Sequence, residues 1–158
     1  MVSSQLTMTD LCRVTGYTRD QVRGLLDVAL PERSSKGPRV AREFRPQELI
    51  LVAAMTELET RFGIKRSHVA VVAKRLAQVL SGPKSLNREA RLLIAFDPPK
   101  VTYAAELIPT VDGVVMSLGL IFDRVDRYVS AAAAGSTRQQ PLRLGPTMLR
   151  TATRRTST

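Results

Sequence analysis

The sequence is poor in residues that build metal and redox sites, with one cysteine, one histidine and no tryptophan. A single thiol, Cys12, can form neither an internal disulfide nor a thiolate metal cage, which fits a reducing compartment. No second histidine, cysteine or carboxylate cluster lies at ligand spacing from His68. We therefore expect no metal site, and we expect Cys12 to be a buried structural residue.

Catalytic motifs are missing as well. The sequence has no G-x-S-x-G element, no phosphate-binding loop and no histidine paired with a nucleophile. It has no close pair of carboxylates with supporting polar groups. We expect a protein that is not an enzyme and that uses no cofactor.

Long apolar runs are also lacking. No stretch approaches the roughly 18 apolar residues of a membrane span. Residues 1–12 lack the basic start and the apolar run of a signal peptide. These features predict a soluble, cytoplasmic protein without a membrane partner.

Aromatic residues make up only 4% of the 158 residues, whereas apolar residues make up 44%. The core must therefore consist of Leu, Val, Ile and Ala, a mixture that suits helices. This length allows one ordinary domain, or a small domain with an assembly segment. We predict a mainly α fold.

Positive charge is abundant, with a net charge of +10, and it favours polyanionic partners. Residues 1–80 hold 13 Lys and Arg against 8 Asp and Glu, and residues 81–134 hold 6 of each. Residues 135–158 hold 5 Arg and no acid. Gly and Pro near residue 82 mark a boundary, so we predict a binding domain at 1–80, a dimerisation or regulatory segment at 86–134 and a disordered basic tail at 135–158.

Two short helices joined by a tight turn are predicted near the N-terminus. Thr9 is a suitable N-cap for the first helix, and Gly16 ends it. Thr18 caps a second helix over residues 19–29. The apolar positions of that helix recur at spacings of three and four and predict one buried face: Val22, Leu25, Leu26 and Ala29. This arrangement is typical of a helix-turn-helix with a polar, exposed start to its second helix.

A basic hairpin is predicted next, over ERSSKGPRVAREFR. Lys36, Gly37 and Pro38 suit its tip, and alternating residues after them suit a strand. Pro46 then begins a third helix that Gly63 ends. Ser67 is the expected cap of a fourth.

This order of features resembles the DNA-binding domain of the MerR family of bacterial regulators, over about residues 5–80. The stretches that carry the resemblance are LTMTDLCRVTGYTRDQVRGLLDVALP, RVAREFRPQEL and RFGIKRSHVAVVAKRL. The matching positions are Gly16 between the helices, Arg23 late in the second helix, Arg42 and Phe44 at the end of the wing, Glu48, and Gly63 with Ile64. The chain departs from the family pattern at Gly24 and Leu25, where a tyrosine pair is usual, and at Phe44, where the wing has a tyrosine.

The resemblance implies a winged helix-turn-helix with a small β wing, dimerisation through a later helix, and a phosphate contact by Arg23. The candidate DNA-binding residues form three groups: Thr18, Arg19, Asp20, Gln21 and Arg23 at the start of the second helix; Arg33, Lys36, Arg39 and Arg42 in the wing; Lys65 and Arg66 before the fourth helix. Arg and Gln can contact guanine and adenine edges. The alternatives are an ordinary solvated helix face and a solubilising loop.

The middle third predicts an assembly module. Residues 90–96 and 101–107 suit a β-hairpin with a turn at 97–100, and residues 111–116 suit either a strand or a helix start. A long amphipathic helix follows, and its apolar residues predict a seam for dimerisation: Leu118, Phe122, Val125 and Val129. Packing of this seam within the chain's own core is the alternative.

Together these patterns predict a homodimeric, sequence-specific regulator of bacterial transcription that binds double-stranded DNA. Such a regulator is expected in the nucleoid-associated cytoplasm, with RNA polymerase as a further partner. A DNA-architectural factor of the recombination directionality or partition type is an alternative. A protein-interaction adaptor is another.

Overall fold

The computed structural model describes residues 6–34, 43–82, 86–105 and 112–136. The helices are α1 (Met8–Thr15), α2 (Arg19–Ala29), α3 (Pro31–Ser34), α4 (Pro46–Thr60), α5 (Arg66–Leu80) and α6 (Leu118–Ser136). The strands are β1 (Arg91–Phe96), β2 (Pro99–Ala104) and β3 (Val114–Ser117). The expectation of a mainly α fold is confirmed, and the described strands form one small antiparallel sheet.

The turn between α1 and α2 forms as its residues predict. Gly16 adopts a φ of 74°, and its backbone N–H donates to the carbonyl of Cys12 at 2.8 Å, which ends α1. The side chains of Thr18 and Gln21 each accept a hydrogen bond from the other's backbone N–H, at 3.4 and 2.9 Å. This reciprocal pair fixes the first turn of α2.

Helix α4 occupies the centre of the fold. Pro46 is its first residue, as predicted, and every residue from 48 to 58 is buried. The reason is that α1, α2, α5 and α6 all pack against it. A helix enclosed on all sides has no polar face to keep.

The three strands form an antiparallel sheet in the order β2-β1-β3. Leu92 of β1 pairs with Tyr103 of β2 and with Met116 of β3. The predicted hairpin is confirmed, with a shorter turn of Asp97 and Pro98, and the undecided segment before α6 is a strand. Phe96 lies on the same face of β1 as Leu92 and contacts His68 of α5, so this face packs against α5.

Three predicted helix ends differ from the structure. Helix α1 begins after Thr7 rather than at Thr9, because the carboxylate of Asp10 accepts hydrogen bonds from both the backbone N–H and the hydroxyl of Thr7. Helix α5 begins after Lys65 rather than at Ser67. Helix α4 ends at Thr60, before Gly63.

The two halves of the chain share one apolar cluster, which extends from Leu6 to Val125. Helix α6 joins it by packing against α4 and α1. Among the described residues, no helix has both the length and the apolar character that crossing a membrane requires.

Candidate nucleic-acid interface

The start of α2 is exposed on its polar side and anchored on its apolar side. Arg19, Asp20, Gln21 and Arg23 are exposed, and so is Thr18. The opposite side of the helix is buried in the core through Val22, Leu25, Leu26 and Ala29, as the periodicity predicted. The five residues predicted at this helix start are therefore all accessible to solvent.

The charges on α2 balance, since its two arginines stand against Asp20 and Asp27. Arg23 lies 3.8 Å from the carboxylate of Asp20, and both side chains are more than half exposed. The guanidinium of Arg19 donates to the hydroxyl of Thr9 at 3.4 Å. An exposed pair of this kind contributes little to stability, so Arg23 can exchange Asp20 for another anion at small cost.

Arg66, which was predicted as a DNA contact, makes hydrogen bonds within the chain. Its Nε and Nη2 donate to the two oxygens of Glu59 at 2.7 and 2.9 Å, and its Nη1 donates to the carbonyl of Gln21 at 3.3 Å. Its guanidinium carbon also lies 5.7 Å from the ring centre of Tyr17. Arg66 therefore braces the start of α2 against α4, and three of its five N–H donors are bonded within the chain.

Glu59 and Tyr17 complete this cluster. The Tyr17 hydroxyl donates to Glu59 at 2.6 Å. Burial, together with the hydrogen bond to Glu59, raises the pKa of Tyr17 to about 12. The hydrogen bonds from Arg66 lower the pKa of Glu59 despite its partial burial. Both shifts favour a charged Glu59 and a neutral Tyr17, which are the forms that make these hydrogen bonds.

Helices α2 and α5 run side by side in the same direction. The start of α2 contacts Arg66, and the middle of α2, at Gly24 and Val28, lies against residues 66–73 of α5. The end of α2, at Leu30, lies near Ala77 and Leu80. Both helix N-termini, each with a partial positive charge, therefore lie at the same end of the molecule.

Lys65 lies immediately before α5 at this end, and it is exposed. Its carbonyl accepts the backbone N–H groups of His68 and Val69, at 2.9 and 3.1 Å, which closes the first turn of α5. The structure thus brings Lys65 to the same end as Arg19, as a DNA contact at both sites requires.

The predicted wing residues Lys36, Arg39 and Arg42 lie outside the described residues. Arg33 belongs to the short helix α3 rather than to a hairpin strand, and its side chain is also outside the described part. At the far end of this segment, the backbone N–H of Phe44 donates to the carbonyl of Leu6 at 3.0 Å in an isolated antiparallel bridge. Phe44 is thereby fixed next to Leu6, just before α1.

The predicted seam on α6 divides between the interior and the surface. Leu118 and Val125 are buried within the chain's own core, with 0% and 7% exposure. Phe122 is half-buried beneath the guanidinium of Arg88, whereas Val129 is 42% exposed. Leu118 and Val125 thus follow the intramolecular alternative, and they cannot form a dimer seam while α6 is packed in this way.

Polar contacts outside that seam also attach α6. Arg124 lies 2.9 Å from the carboxylate of Glu57 in α4, and the Tyr128 hydroxyl donates to Asp10 in α1 at 2.5 Å. Burial and the bond to Asp10 raise the pKa of Tyr128. Burial alone would raise the pKa of Asp10, but the hydrogen bonds from Tyr128 and Thr7 outweigh burial and lower it.

Sequence analysis did not predict the roles of Glu59, Tyr17 and Tyr128. Their partners lie up to 118 positions away along the chain, and no local pattern relates them. Within the described ranges, no group of three or more His, Cys, Asp and Glu could hold a metal ion. Cys12 is only partly buried, rather than fully buried as expected.

Comparison of the chain with protein-family models, with curated proteins and with solved structures returned no match.

Proposed function

We propose that this chain is a winged helix-turn-helix protein that binds double-stranded DNA and regulates transcription as a homodimer. The observation that carries the proposal is the exposed polar start of α2, anchored in the core by its buried apolar side. A helix presented in this way fits the major groove of B-DNA. The resemblance to the MerR family over about residues 5–80 supports the same function.

Electrostatics support DNA as the partner. The parallel arrangement of α2 and α5 brings two helix N-termini and the side chains of Arg19 and Lys65 to one end of the molecule. Backbone N–H groups at helix N-termini, together with nearby Lys and Arg, are common phosphate ligands. The wing cations predicted from the sequence would add to this surface.

The test is DNA selection followed by substitution. The full chain is mixed with a pool of random duplexes, and the retained duplexes are sequenced. We expect Arg23→Ala and Arg42→Ala to weaken binding to all duplexes alike, because phosphate contacts carry no sequence information, and Gln21→Ala to change the preferred sequence. Arg91→Ala is the control, since Arg91 is exposed at the start of β1 in the other half of the chain. Unchanged affinity in both arginine variants contradicts the proposal.

A protein-interaction adaptor is the second candidate, and one observation favours it. Val28 is 41% exposed beside the groove between α2 and α5, and α2 has no net charge. A chain that retains no duplex at moderate salt but forms a stable complex with another protein would support this function.

A further inference from the structure

The outer side of α5 has an unusual set of side chains for an exposed helix face. Its exposed residues at helical spacing are Ser67, Val71, Lys74 and Gln78. All three polar members can donate hydrogen bonds. Helix α5 has no acidic residue, and residues 60–88 contain none. The face therefore offers donors and positive charge without a carboxylate to repel an anion.

This face adjoins α2. Ala70 lines the groove between the two helices, beside Gly24 and Val28 of α2. Lys74 is one turn after Ala70, so it lies on the same side of α5.

Arg75 lies about 100° further round the helix than Lys74. His68, two turns before Arg75, contacts the ring of Phe96 in β1 with 6.4 Å between ring centres. Arg75 therefore lies on the side towards the sheet. Both Lys74 and Arg75 are exposed. They are therefore two accessible cations on one helix, Lys74 on the side of α2 and Arg75 on the side of the sheet.

We propose that the outer face of α5 is a second contact surface for the sugar–phosphate backbone of duplex DNA, with Lys74 as a phosphate ligand. This inference rests on the proposed function, in which α2 enters a major groove. Packed helices lie about 8–10 Å apart, and the groove is about 12 Å wide. A helix beside one that occupies the groove therefore lies over the flanking backbone.

Charge complementarity identifies the backbone as the occupant. Helix α2 contributes no net charge, because Asp20 and Asp27 offset its two arginines. Any net positive charge beside the phosphates must therefore come from its neighbours. Ser, Gln and Lys side chains are all frequent donors to phosphate oxygens. A protein partner would require a more apolar centre, and Val71 is the one large apolar residue exposed on α5.

The experiment compares Lys74→Gln with Arg75→Gln in the full chain. Each variant removes one exposed cation from the same helix, and glutamine is a good helix former. Binding to fluorescein-labelled duplexes selected by the full chain is measured by anisotropy over a series of salt concentrations. We expect Lys74→Gln to reduce the log–log salt slope by about 0.9, the value for one neutralised phosphate, and Arg75→Gln to leave it unchanged.

Three results would overturn the inference. Equal changes of slope in both variants would show attraction to overall charge rather than a phosphate contact. An unchanged slope in Lys74→Gln, with Arg23→Ala still weakening binding, would exclude α5 and leave the proposed function standing. A full chain that retains no duplex would overturn both proposals. Circular dichroism spectra that match the wild type establish that each variant is folded.

Discussion

At the scale of single residues, the carboxylate of Glu59 accepts three hydrogen bonds, from the Tyr17 hydroxyl and from two nitrogens of Arg66. The pKa of Glu59 in the folded protein lies below the ordinary value of 4.5. The stabilisation of the fold by the Glu59 carboxylate is therefore present above pH 4.5, and it is lost as the pH falls through the pKa of Glu59 in the folded protein. The contribution of the Tyr17 hydroxyl to stability has the opposite pH dependence. It is present below pH 10 and is lost as the pH rises through about 12.

Glu59→Gln should lower the free energy of unfolding by about 1–3 kcal/mol at neutral pH, because it removes charged hydrogen bonds. Urea unfolding of wild type and variant at several pH values measures the difference. It should shrink as the pH falls below the folded pKa of Glu59, where the wild-type side chain is also neutral.

Glu89→Gln is the control for this prediction, because Glu89 is an exposed acid at the turn before β1. It should change stability by less than about 0.5 kcal/mol. A Glu59→Gln variant as stable as this control at neutral pH would contradict a structural role for the cluster.

Two glycines give a matched pair at the same scale. Gly16 has a φ of 74°, and a side chain there is strained, so Gly16→Ala should destabilise the protein by about 1 kcal/mol or more. Gly24 lies inside α2, where an added Cβ would be 3.5 Å from Arg66, an ordinary contact. Gly24→Ala should therefore stabilise the protein by about 0.5–1 kcal/mol. Thermal unfolding of both variants tests this, and the same sign of effect in both would contradict it.

At the scale of secondary-structure elements, α6 determines how the C-terminal half is joined to the rest. Its buried stripe consists of Leu118, Ile121 and Val125, with Tyr128 continuing it through the bond to Asp10. The predicted stripe shared Leu118 and Val125 but had Phe122 in place of Ile121 and Val129 in place of Tyr128. Both stripes alternate steps of three and four residues from Leu118, and they differ only in which step comes first. The positions of α4 and α1 decide which of the two stripes is buried.

Val125→Asp and Val129→Asp separate packing within the chain from dimerisation. Val125→Asp should destabilise the fold by about 3 kcal/mol or more, because it buries an unpaired charge. Val129→Asp should leave the unfolding midpoint nearly unchanged, because that position is 42% exposed.

Light scattering of the Val129→Asp variant then tests the remaining part of the predicted seam. If the proposed homodimer uses the exposed side of α6, this variant should be monomeric while the wild type is dimeric. A dimer in both proteins would place the dimer contact elsewhere in the chain.

At the scale of the whole molecule, the apolar cluster includes residues of both halves. We therefore expect a single cooperative unfolding transition, since separate transitions require separate cores. Leu26→Ala in α2 and Leu118→Ala in α6 should each lower the free energy of unfolding by about 2–5 kcal/mol. Both should lower the midpoint of the same transition. Calorimetry that resolves two transitions, with each variant shifting only one of them, would contradict this expectation.

Local features followed directly from the amino-acid sequence: the turn at Gly16, the cap of α2 at Thr18, the start of α4 at Pro46 and the hairpin of β1 and β2. Each depends on residues a few positions apart, whose φ preferences and apolar spacing act within one turn or one strand pair. Tertiary structure alone decided that Arg66 braces α2 instead of remaining free, that α4 is enclosed on all sides, and that Leu118 and Val125 face the chain's own core. These outcomes depend on which elements pack against each other. The sequence around a charged or apolar residue is the same whether its side chain contacts solvent, another helix or another molecule. Local sequence therefore could not predict them.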